Sequence, residues 1–546
     1  MLKRILNSQS KTITFAAILL AGSAFFSRIL GLVRDRLLAG HFGAGEELDI
    51  YFAAFRIPDF IYGIFIMGGI AAVFLPVFAE YFRQDEKEAW QFTSNLLNCF
   101  LLLLILLCGL LAWLSPWIIN LVAPGFSEAQ RELTVALTRL MFLSPVFFGL
   151  SSIFSGVLHY FNRFLVYSLA PVLYNLGIIF GILFLVPRFG LRGLAYGVIL
   201  GALLHWLIQL PAARVSGYKY SFFLNFRQSG LLKVFRLMIP RTIGAAAYHL
   251  NLIVITAIAS TLTAGSIAVF NFSNNLQYFP VGLIGVSFAL AAFPALSRNW
   301  VTGAKGGFLE SFSSTFCQIL FLITPVSLLM FLLRSQIVRL ILGTGEFGWL
   351  ETRLTAACLG IFCLGIGAGA FIPFLSRTFY SFQNTKTPVI VGLLAMALNI
   401  ILSFSLVGLL ANVNGFQQAA ASILRLEGIE NIQVVGLPLA LSLAAIFQFV
   451  LLLFFLKRTI RELSFQAIWQ SFKKVVLATL FMALSVYSTL YLAVNFLNTQ
   501  TYLGLLGQAV LAGLAGVFVF LLATYLLGSP ELRTIKSSVL KQFEKS

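Results

Sequence analysis

Long apolar stretches constrain the fold of this chain more than any other feature of its sequence. Each of fourteen stretches is long enough to cross a bilayer's hydrocarbon core, which takes about 20 helical residues. They lie near 12–33, 49–80, 92–115, 131–158, 166–187, 193–213, 232–260, 265–296, 310–333, 352–378, 387–411, 436–457, 474–495 and 503–527. Only 10% of the residues are charged, whereas soluble domains carry about 25%. The sequence therefore predicts an all-α polytopic membrane protein with about fourteen transmembrane helices.

The distribution of basic residues predicts the orientation of these spans. The net charge is +18, and most lysines and arginines lie at the termini and in loops that join even-numbered to odd-numbered spans. Because basic loops stay on the cytoplasmic side, both termini are predicted to be cytoplasmic. The same bias accounts for the charge without a nucleic-acid partner. The basic and apolar N-terminus imitates a signal peptide, but we expect it to be retained because it continues directly into the charged first span.

An internal repeat divides the spans into two sets of six. Ala44-Gly45 precedes Pro76 at nearly the same separation as Ala264-Gly265 precedes Pro294. Internal duplication is typical of transporters, whose substrate site lies near the bilayer midplane between the repeats. The pattern predicts two pseudo-symmetric six-helix lobes and a C-terminal pair of helices with amphipathic flanks. The predicted boundaries are 1–228, 229–460 and 461–546.

The first two spans carry charges that an ordinary membrane helix would exclude. Arg28 and Asp35 are seven residues apart, as are Asp49 and Arg56, so each pair lies on one helical face. A charge at mid-bilayer costs about 3 kcal/mol on insertion scales, and such residues therefore face the protein interior or a water-filled cavity. Arginines suit an anionic group, above all a phosphate. We predict that Arg28, Arg34 and Arg56 bind substrate.

The acidic residues of these spans have two interpretations. Asp35 and Asp49 lie near the predicted outer membrane edge. They are predicted to form state-dependent pairs that close an outer gate. The alternative is that Arg34 with Asp35, and Arg56 with Asp59, are ion pairs that only support packing.

The second repeat has amides where the first has charges. Asn271, Asn274 and Asn275 fall at i, i+3 and i+4 of an apolar stretch. An apolar helix with so many donors and acceptors must satisfy them. We predict that the three asparagines line a cavity and bind polar groups of the substrate. Hydrogen bonding between helices alone is the alternative.

The sequence gives little support to catalysis. Its four histidines have no metal-ligand spacing, and its five cysteines all fall in apolar stretches with neither a disulfide nor a zinc pattern. No glycine-rich phosphate loop precedes a lysine. The chain is therefore predicted not to be an enzyme and to need no cofactor or metal.

Several segments resemble one family of bacterial transporters. They are SRILGLVRD (27–35), FGAGEELDIYFAAFRIPDF (42–60), FLPVFAEY (74–81), APGF (123–126), FPVGLIGVSFALAAFPALSR (279–298) and FYSFQNTKTPV (379–389). They are similar, in the same order, to the MurJ (MviN) family of lipid II flippases. That family belongs to the multidrug/oligosaccharidyl-lipid/polysaccharide exporter superfamily, and its fourteen spans are also split six, six and two.

The resemblance implies a role in peptidoglycan biosynthesis. The expected substrate is lipid II, the undecaprenyl-pyrophosphate-linked peptidoglycan precursor. It would cross the bacterial inner membrane by alternating access, with its tail in a groove formed with the last two spans. The expected partners are this glycan lipid, the membrane and the cell-wall synthesis machinery. In the family, basic residues of the first two spans handle the pyrophosphate, and five residues of this chain match family positions there: Arg28, Arg34, Asp35, Asp49 and Arg56.

The chain also departs from the family pattern. Charged residues common in the family are replaced at Tyr62 or Gly63, Met67, Ile255, Asn275 and Asn384. Two of these, Ile255 and Asn384, stand where parts of the family have a proposed sodium site, so membrane potential is the expected driving force. The departures favour, as an alternative, a flippase for another undecaprenyl-linked glycan of the exopolysaccharide or O-antigen type. A multidrug antiporter would want an acidic cavity, and a scaffold for wall-synthesis enzymes would not need the arginines.

Overall fold

The computed structural model describes residues 13–429 and 431–533, and within these ranges the chain forms helices and turns with no β-strand. The prediction of an all-α fold is confirmed. The start of the signal-like segment and the distal part of the C-terminal amphipathic flank lie outside the described residues. Two compact units divide the chain, Met1–Ala268 and Val269–Ser546.

The first unit is built from eleven helices and two π-helical segments among its described residues. In chain order the helices are α1 (Ile13–Phe42), α2 (Glu46–Ile61), α3 (Ala71–Gln84), α4 (Glu86–Val122), α5 (Glu128–Met141), α6 (Leu143–Tyr160), α7 (Phe164–Phe180), α8 (Val186–Phe189), α9 (Arg192–Leu207), α10 (Gln209–Val215) and α11 (Ser229–Ser260). The π-helical segments are Tyr62–Ile70 and Gly181–Leu185.

The second unit continues the helical pattern. Helix α12 begins in the first unit and runs into the second. The helices are α12 (Ser266–Pro280), α13 (Ser287–Val301), α14 (Lys305–Leu332), α15 (Arg334–Ile341), α16 (Trp349–Ser381), α17 (Lys386–Ala411), α18 (Gly415–Leu424), α19 (Gly436–Thr459), α20 (Gln466–Ala493) and α21 (Tyr502–Leu526). A π-helical segment, Val281–Val286, joins α12 to α13, and a short 3-10 helix, Gln433–Val435, precedes α19.

Eleven helical segments among the described residues are long and apolar enough to cross a membrane. They coincide with eleven predicted spans, the third to the sixth and the eighth to the fourteenth. They are Glu86–Val122, Glu128–Tyr160, Phe164–Phe189, Arg192–Val215, Ser266–Val301, Lys305–Leu332, Trp349–Ser381, Lys386–Ala411, Gln433–Thr459, Gln466–Ala493 and Tyr502–Leu526. The protein is therefore a multi-span helical membrane protein.

The three other predicted spans are also helical, but their described residues alone do not include such a segment. They correspond to α1, to α2 with its π-helical segment and α3, and to α11, of which only Ala246–Ser260 is a described apolar stretch. The first two of these spans carry the charges that the sequence singled out. The count of fourteen and the arrangement in two six-helix lobes with boundaries at 228 and 460 stay predictions.

Side chains at the helix starts explain several of the observed boundaries. Asp85 caps α4 by accepting a hydrogen bond from the Lys87 backbone N–H at 2.7 Å. Ser127 and Gln130 form a reciprocal capping box at the start of α5, and Thr501 caps α21. Each cap satisfies a backbone donor that the first helical turn leaves free.

The helix that begins at each Ala-Gly motif contains a π-helical segment. Tyr62–Ile70 lies between α2 and α3, and Val281–Val286 lies between α12 and α13. A proline precedes each segment, Pro58 in the first case and Pro280 in the second. Proline removes a backbone hydrogen bond and favours such irregularity, and π-helical segments are frequent at functional sites. The irregularity therefore occurs at matching places in the sequence repeat.

Phenylalanine, which occurs 56 times, fills the interior of both units. In the first, the rings of Phe74 and Phe78 stack at 5.3 Å between centroids. In the second, those of Phe316 and Phe371 stack at 4.2 Å. Stacked rings of this kind add about 0.5–1.5 kcal/mol beyond the area that they bury.

Small residues bring α7 and α9 into close contact. A side-chain carbon at Gly177 would lie 2.3 Å from the Cα of Gly201, and one at Gly181 would lie 2.6 Å from the Cα of Gly197. Membrane helices use such small-residue faces because lipid supplies no hydrophobic drive for helix association. The contact positions α7 beside α1, where the first candidate residues lie.

Candidate functional site

Arg34 on α1 is held by two partners. Its Nη2 and Nε donate to Asp35 Oδ1 at 2.8 and 3.0 Å, and its Nη1 donates to Asn175 Oδ1 at 3.3 Å. The Asp35 side chain is buried, whereas the Arg34 side chain is 23% exposed. The predicted pairing of Arg34 with Asp35 is therefore present, and the Arg34 side chain is only partly buried.

Asn175 on α7 fixes the position of this pair. Its Nδ2 donates to the Ser27 hydroxyl at 3.2 Å and to the Pro171 carbonyl oxygen at 3.1 Å, while its Oδ1 accepts from Arg34. The sequence analysis did not assign a role to this residue. The sequence could have indicated such a role, because Asn175 is an amide in an apolar stretch and a buried amide requires hydrogen-bond partners.

Arg56 on α2 contacts the neighbouring helix α11. Its Nε donates to Thr256 Oγ1 at 2.6 Å, and its side chain is buried. Asp59, one turn further along α2, interacts electrostatically with both Arg56 and Arg34. The first unit thus brings two arginines and two carboxylates into one cluster, which we call the arginine cluster (Arg34, Asp35, Arg56 and Asp59).

Tyrosines surround the arginine cluster. Tyr51 and Tyr174 lie within electrostatic range of Arg34, and Tyr62 lies within range of Asp59. Their hydroxyls supply polar groups that need no counter-charge. The sequence analysis missed these tyrosines, because a tyrosine in a membrane helix is more often an interfacial anchor than part of a polar interior.

The carboxylate of Asp49 is bound by backbone N–H groups, whereas its charge suggests a cationic partner. The carboxylate is 4% exposed and accepts hydrogen bonds from the backbone N–H groups of Gly265 at 2.7 Å and Ala268 at 2.8 Å. It therefore caps the first turn of α12, where the helix dipole favours a negative charge.

The two Ala-Gly motifs of the sequence repeat meet beside Asp49. Gly265 adopts a positive φ of 88°, and a side-chain carbon there would lie 1.8 Å from the Ala44 carbonyl oxygen. Only glycine combines this backbone conformation with so close an approach. The start of α2 and the start of α12 are consequently fastened together by backbone contact and by the Asp49 carboxylate.

His249 on α11 packs against the beginning of the first π-helical segment. A side-chain carbon at Gly63 would lie 1.8 Å from His249 Nε2. The imidazole therefore occupies the space that a larger residue at position 63 would fill. His249 also interacts electrostatically with Arg56, which places it next to the arginine cluster.

The remaining predicted residues are Arg28 on α1 and the three asparagines of α12. Arg28 is partly buried on α1. Asn271 is buried on α12, whereas Asn274 and Asn275 are partly buried, and Asn274 Oδ1 accepts from Gln277 Nε2 at 3.1 Å. The asparagines belong to the second unit and the arginines to the first.

The chemistry of the arginine cluster is that of binding and not of bond cleavage. Guanidinium groups can hold a phosphate by two parallel hydrogen bonds, and the paired carboxylates can neutralise them when no anion is present. Within residues 13–429 and 431–533, no group of three or more His, Cys, Asp or Glu side chains is arranged to hold a metal ion.

Sequence comparisons agree along most of the chain. The family described as "Lipid II flippase MurJ" matches residues 38–507. A "Probable lipid II flippase MurJ" of Buchnera aphidicola is 33% identical over 382 residues, which cover 68% of this chain and 74% of that protein. A protein of Bdellovibrio bacteriovorus with the same description is 29% identical over 545 residues, or 98% of each chain.

Structure comparisons give the same result. A solved structure of "Lipid II flippase MurJ, inward closed conformation" superposes with a TM-score of 0.75 at 26% identity and covers 93% of this chain and 98% of that one. An inward-facing multidrug transporter of the MATE family, at 14% identity and a TM-score of 0.62, covers 80% of this chain and 96% of its own and shows a shared fold alone. The chain therefore belongs to the MurJ family of lipid II flippases.

Proposed function

We propose that this protein flips lipid II across the bacterial inner membrane by alternating access. The observation that carries the proposal is the family match over residues 38–507. Arg34, just before this range, lies in a polar cluster with Asp35 and Asn175. The protein is a transporter and not an enzyme, and its substrate is a lipid-linked molecule. Contact with the cell-wall synthesis machinery is a further part of the proposal.

The arginines are proposed to bind the pyrophosphate. In the described state Arg34 is paired with Asp35 at 2.8 Å. An arriving phosphate would exchange with this carboxylate, so that the guanidinium always has an anionic partner. Such exchange limits the cost of a charge within the membrane. Arg28 and Arg56 extend the proposed binding surface, while Asn271, Asn274 and Asn275 are proposed to bind sugar or peptide groups.

The two aspartates are proposed to act as a gate. Asp35 would release Arg34 when substrate binds. Asp49 would hold the start of α12 in one state and let it go in the other, because its two hydrogen bonds at 2.7 and 2.8 Å are directional and break with a small displacement. The carboxylate then contributes to the free-energy difference between the two states.

The finer architecture is also proposed. Fourteen spans would form two six-helix lobes, 1–228 and 229–460, with a C-terminal pair in 461–546 and both termini in the cytoplasm. The excess of basic residues on one side supports this orientation. Matching π-helical segments in the helices that begin at the two Ala-Gly motifs support the pseudo-symmetry.

Transport measurements test the substrate and the driving force together. The purified protein in proteoliposomes should flip lipid II when a membrane potential is applied and sodium is absent. A strict requirement for sodium would contradict the proposed driving force. Arg34→Ala should reduce flipping at least tenfold, whereas the exposed Arg188→Ala should leave it unchanged.

A second candidate substrate is another undecaprenyl-linked glycan. The observation that favours it is the amide at Asn275, where the family commonly has a basic residue. Growth of a MurJ-depleted bacterium on this protein separates the two substrates. Rescue supports lipid II, and failure to rescue by a protein that still flips another undecaprenyl-linked glycan in vesicles supports the alternative.

A further inference from the structure

A pocket of about 660 Å³ opens in the first unit, away from the arginine cluster. Its walls come from α4, α6, α9 and α10 and from the segment that follows α10. Leu97, Leu101, Leu150 and Leu210 make one side of it apolar. A pocket of this size with a leucine wall suits a hydrocarbon chain.

Two cations border the pocket. Arg214 and Lys219 both line it and both are exposed. Among the described residues neither forms an ion pair. The carboxylate of Glu86 lies close by, beside Gly217, but it accepts a hydrogen bond from Trp90 Nε1 at 3.2 Å and is not part of the pocket lining. The border of the pocket is therefore positive.

Two residues that line the pocket, Trp206 and Tyr218, carry buried polar atoms. The Trp206 indole N–H and the Tyr218 hydroxyl are buried, and neither has a partner in the part of the chain that the structure describes. The Ser94 side chain lies close to the Tyr218 hydroxyl, so the Trp206 N–H is the clearer of the two free donors. A buried donor without a partner costs about 1–3 kcal/mol, so each is a place where a ligand oxygen would be stabilised.

The segment that follows α10 contributes Tyr218, Lys219 and Tyr220 to the pocket wall. We call residues 218–228 the interfacial strap. Asn225 N–H donates to Asn95 Oδ1 at 2.7 Å, and Asn98 Nδ2 donates to the Phe223 carbonyl oxygen at 3.0 Å, so the strap is tied along α4. Phe222 on this strap is 84% exposed.

Two other aromatic residues of the interfacial strap, Tyr220 and Phe226, are also exposed. Tyrosine is enriched at the level of the lipid headgroups, so Tyr220 favours that position for the strap. Arg214 shortly precedes this strap and Lys219 belongs to it, so a headgroup-level position of the strap would bring both cations near lipid phosphates.

We propose that this pocket binds one anionic glycerophospholipid as a bound, non-transported lipid. Its phosphate would lie between Arg214 and Lys219, its ester or glycerol oxygens would accept hydrogen bonds from Trp206 and Tyr218, and an acyl chain would follow the leucine wall. Basic pockets between membrane helices are a known way to hold acidic headgroups. A soluble anion would use the cations but leave the apolar wall and the two inner donors without a role.

Native mass spectrometry of the full chain in detergent tests the proposal. Phosphatidylglycerol, phosphatidylcholine with the same acyl chains, and inorganic phosphate are each titrated. We expect phosphatidylglycerol to bind at least tenfold more tightly than phosphatidylcholine, and inorganic phosphate not to bind at the same concentrations. Equal binding of the two lipids, or comparable binding of inorganic phosphate, would overturn the proposal.

Variants locate the site. Arg214→Ala combined with Lys219→Ala should weaken phosphatidylglycerol binding at least tenfold. The matched control combines Arg188→Ala with Arg192→Ala, two exposed cations near the opposite end of α9, and should change binding less than twofold. Equal losses in the two double variants would mean a general effect of charge and would reject this pocket.

A third variant tests the inner donors. Trp206→Phe keeps an aromatic ring but removes the indole N–H. It should weaken phosphatidylglycerol binding about threefold and leave the thermal unfolding midpoint unchanged in lipid-free detergent. Unchanged binding in this variant would contradict the proposed position of the lipid within the pocket.

Discussion

The helices that begin at the two Ala-Gly motifs both carry polar side chains, which are charged in α2 and amides in α12. In α2, Arg56 donates to Thr256 of α11 and interacts with Asp59. In α12, the Asn274 side chain accepts from Gln277 of its own helix. A charge must find its compensation on another element or on a carboxylate, whereas an amide is both donor and acceptor and can pair locally. Arg56 therefore ties α2 to α11, whereas the bond between Asn274 and Gln277 stays within α12.

The largest effect that separates the two helices is expected at Asp49. Asp49→Ala removes both backbone hydrogen bonds to the carboxylate, each worth about 1.5–3 kcal/mol for a charged acceptor. We expect a loss of about 4 kcal/mol in the free energy of unfolding, measured as a lowered unfolding midpoint in detergent. Asp49→Asn keeps one acceptor oxygen and should lose about half as much. A loss in Asp49→Ala no greater than that in Asn274→Ala would contradict the view that the charged contacts of α2 stabilise the protein more than the amide contacts of α12.

A smaller but distinctive effect is expected in transport. Arg56→Gln removes the guanidinium and should lower lipid II flipping by roughly 10- to 100-fold, since losing a hydrogen bond to a charged group costs about 1.5–3 kcal/mol. Asn274→Ala should lower it only about threefold. Flipping rates of the two variants in the same vesicles check this difference, with unfolding midpoints as the control. Equal rates would mean that the amides and the charges contribute alike.

The two π-helical segments provide a third contrast. Gly63→Ala places a methyl group where His249 Nε2 lies, at 1.8 Å, whereas Gly369→Ala places one at an ordinary 3.6 Å from Val281. We expect Gly63→Ala to destabilise the protein by about 1–3 kcal/mol through overpacking and Gly369→Ala to be neutral. Adding His249→Ala to Gly63→Ala should restore most of the unfolding midpoint. A failure of this rescue would show that the strain lies elsewhere.

The smallest effect is expected within the amide cluster. Gln277→Ala removes one neutral hydrogen bond to Asn274, worth about 0.5–1.5 kcal/mol, and leaves Asn274 free to bond another group. The unfolding midpoint should therefore change by no more than a degree or two. A loss comparable to that of Asp49→Ala would show that the amides are as firmly interlocked as the charges.

Much of the fold could be predicted because each helix that crosses the bilayer needs a long apolar stretch, which is visible in the sequence. Eleven predicted spans coincide with apolar helical segments. The π-helical segments could not be predicted, since one additional residue in a helical turn does not alter hydrophobic composition. The interfacial strap was also missed, because its fixed shape depends on Asn95 and Asn98, which are more than a hundred residues away in the sequence.

The candidate site was predictable in its residue types but not in its contacts. The seven-residue spacing of charges identified Asp49 and Arg56 as interior residues, and both are buried. The partner of Asp49 could not be read from the sequence, because it consists of backbone N–H groups more than two hundred residues away that no residue type reveals. Asn175 was missed for a related reason, since one amide in an apolar helix does not reveal which residues it will bond.

A π-helical segment changes which side of a helix faces which neighbour. Each residue of an ordinary helix advances the side chain by about 100° around the axis, so the wider turns of Tyr62–Ile70 rotate everything beyond them relative to α2. The polar residues around Arg56 and the buried phenylalanines of α3 can therefore point in directions that one continuous α-helix would not combine.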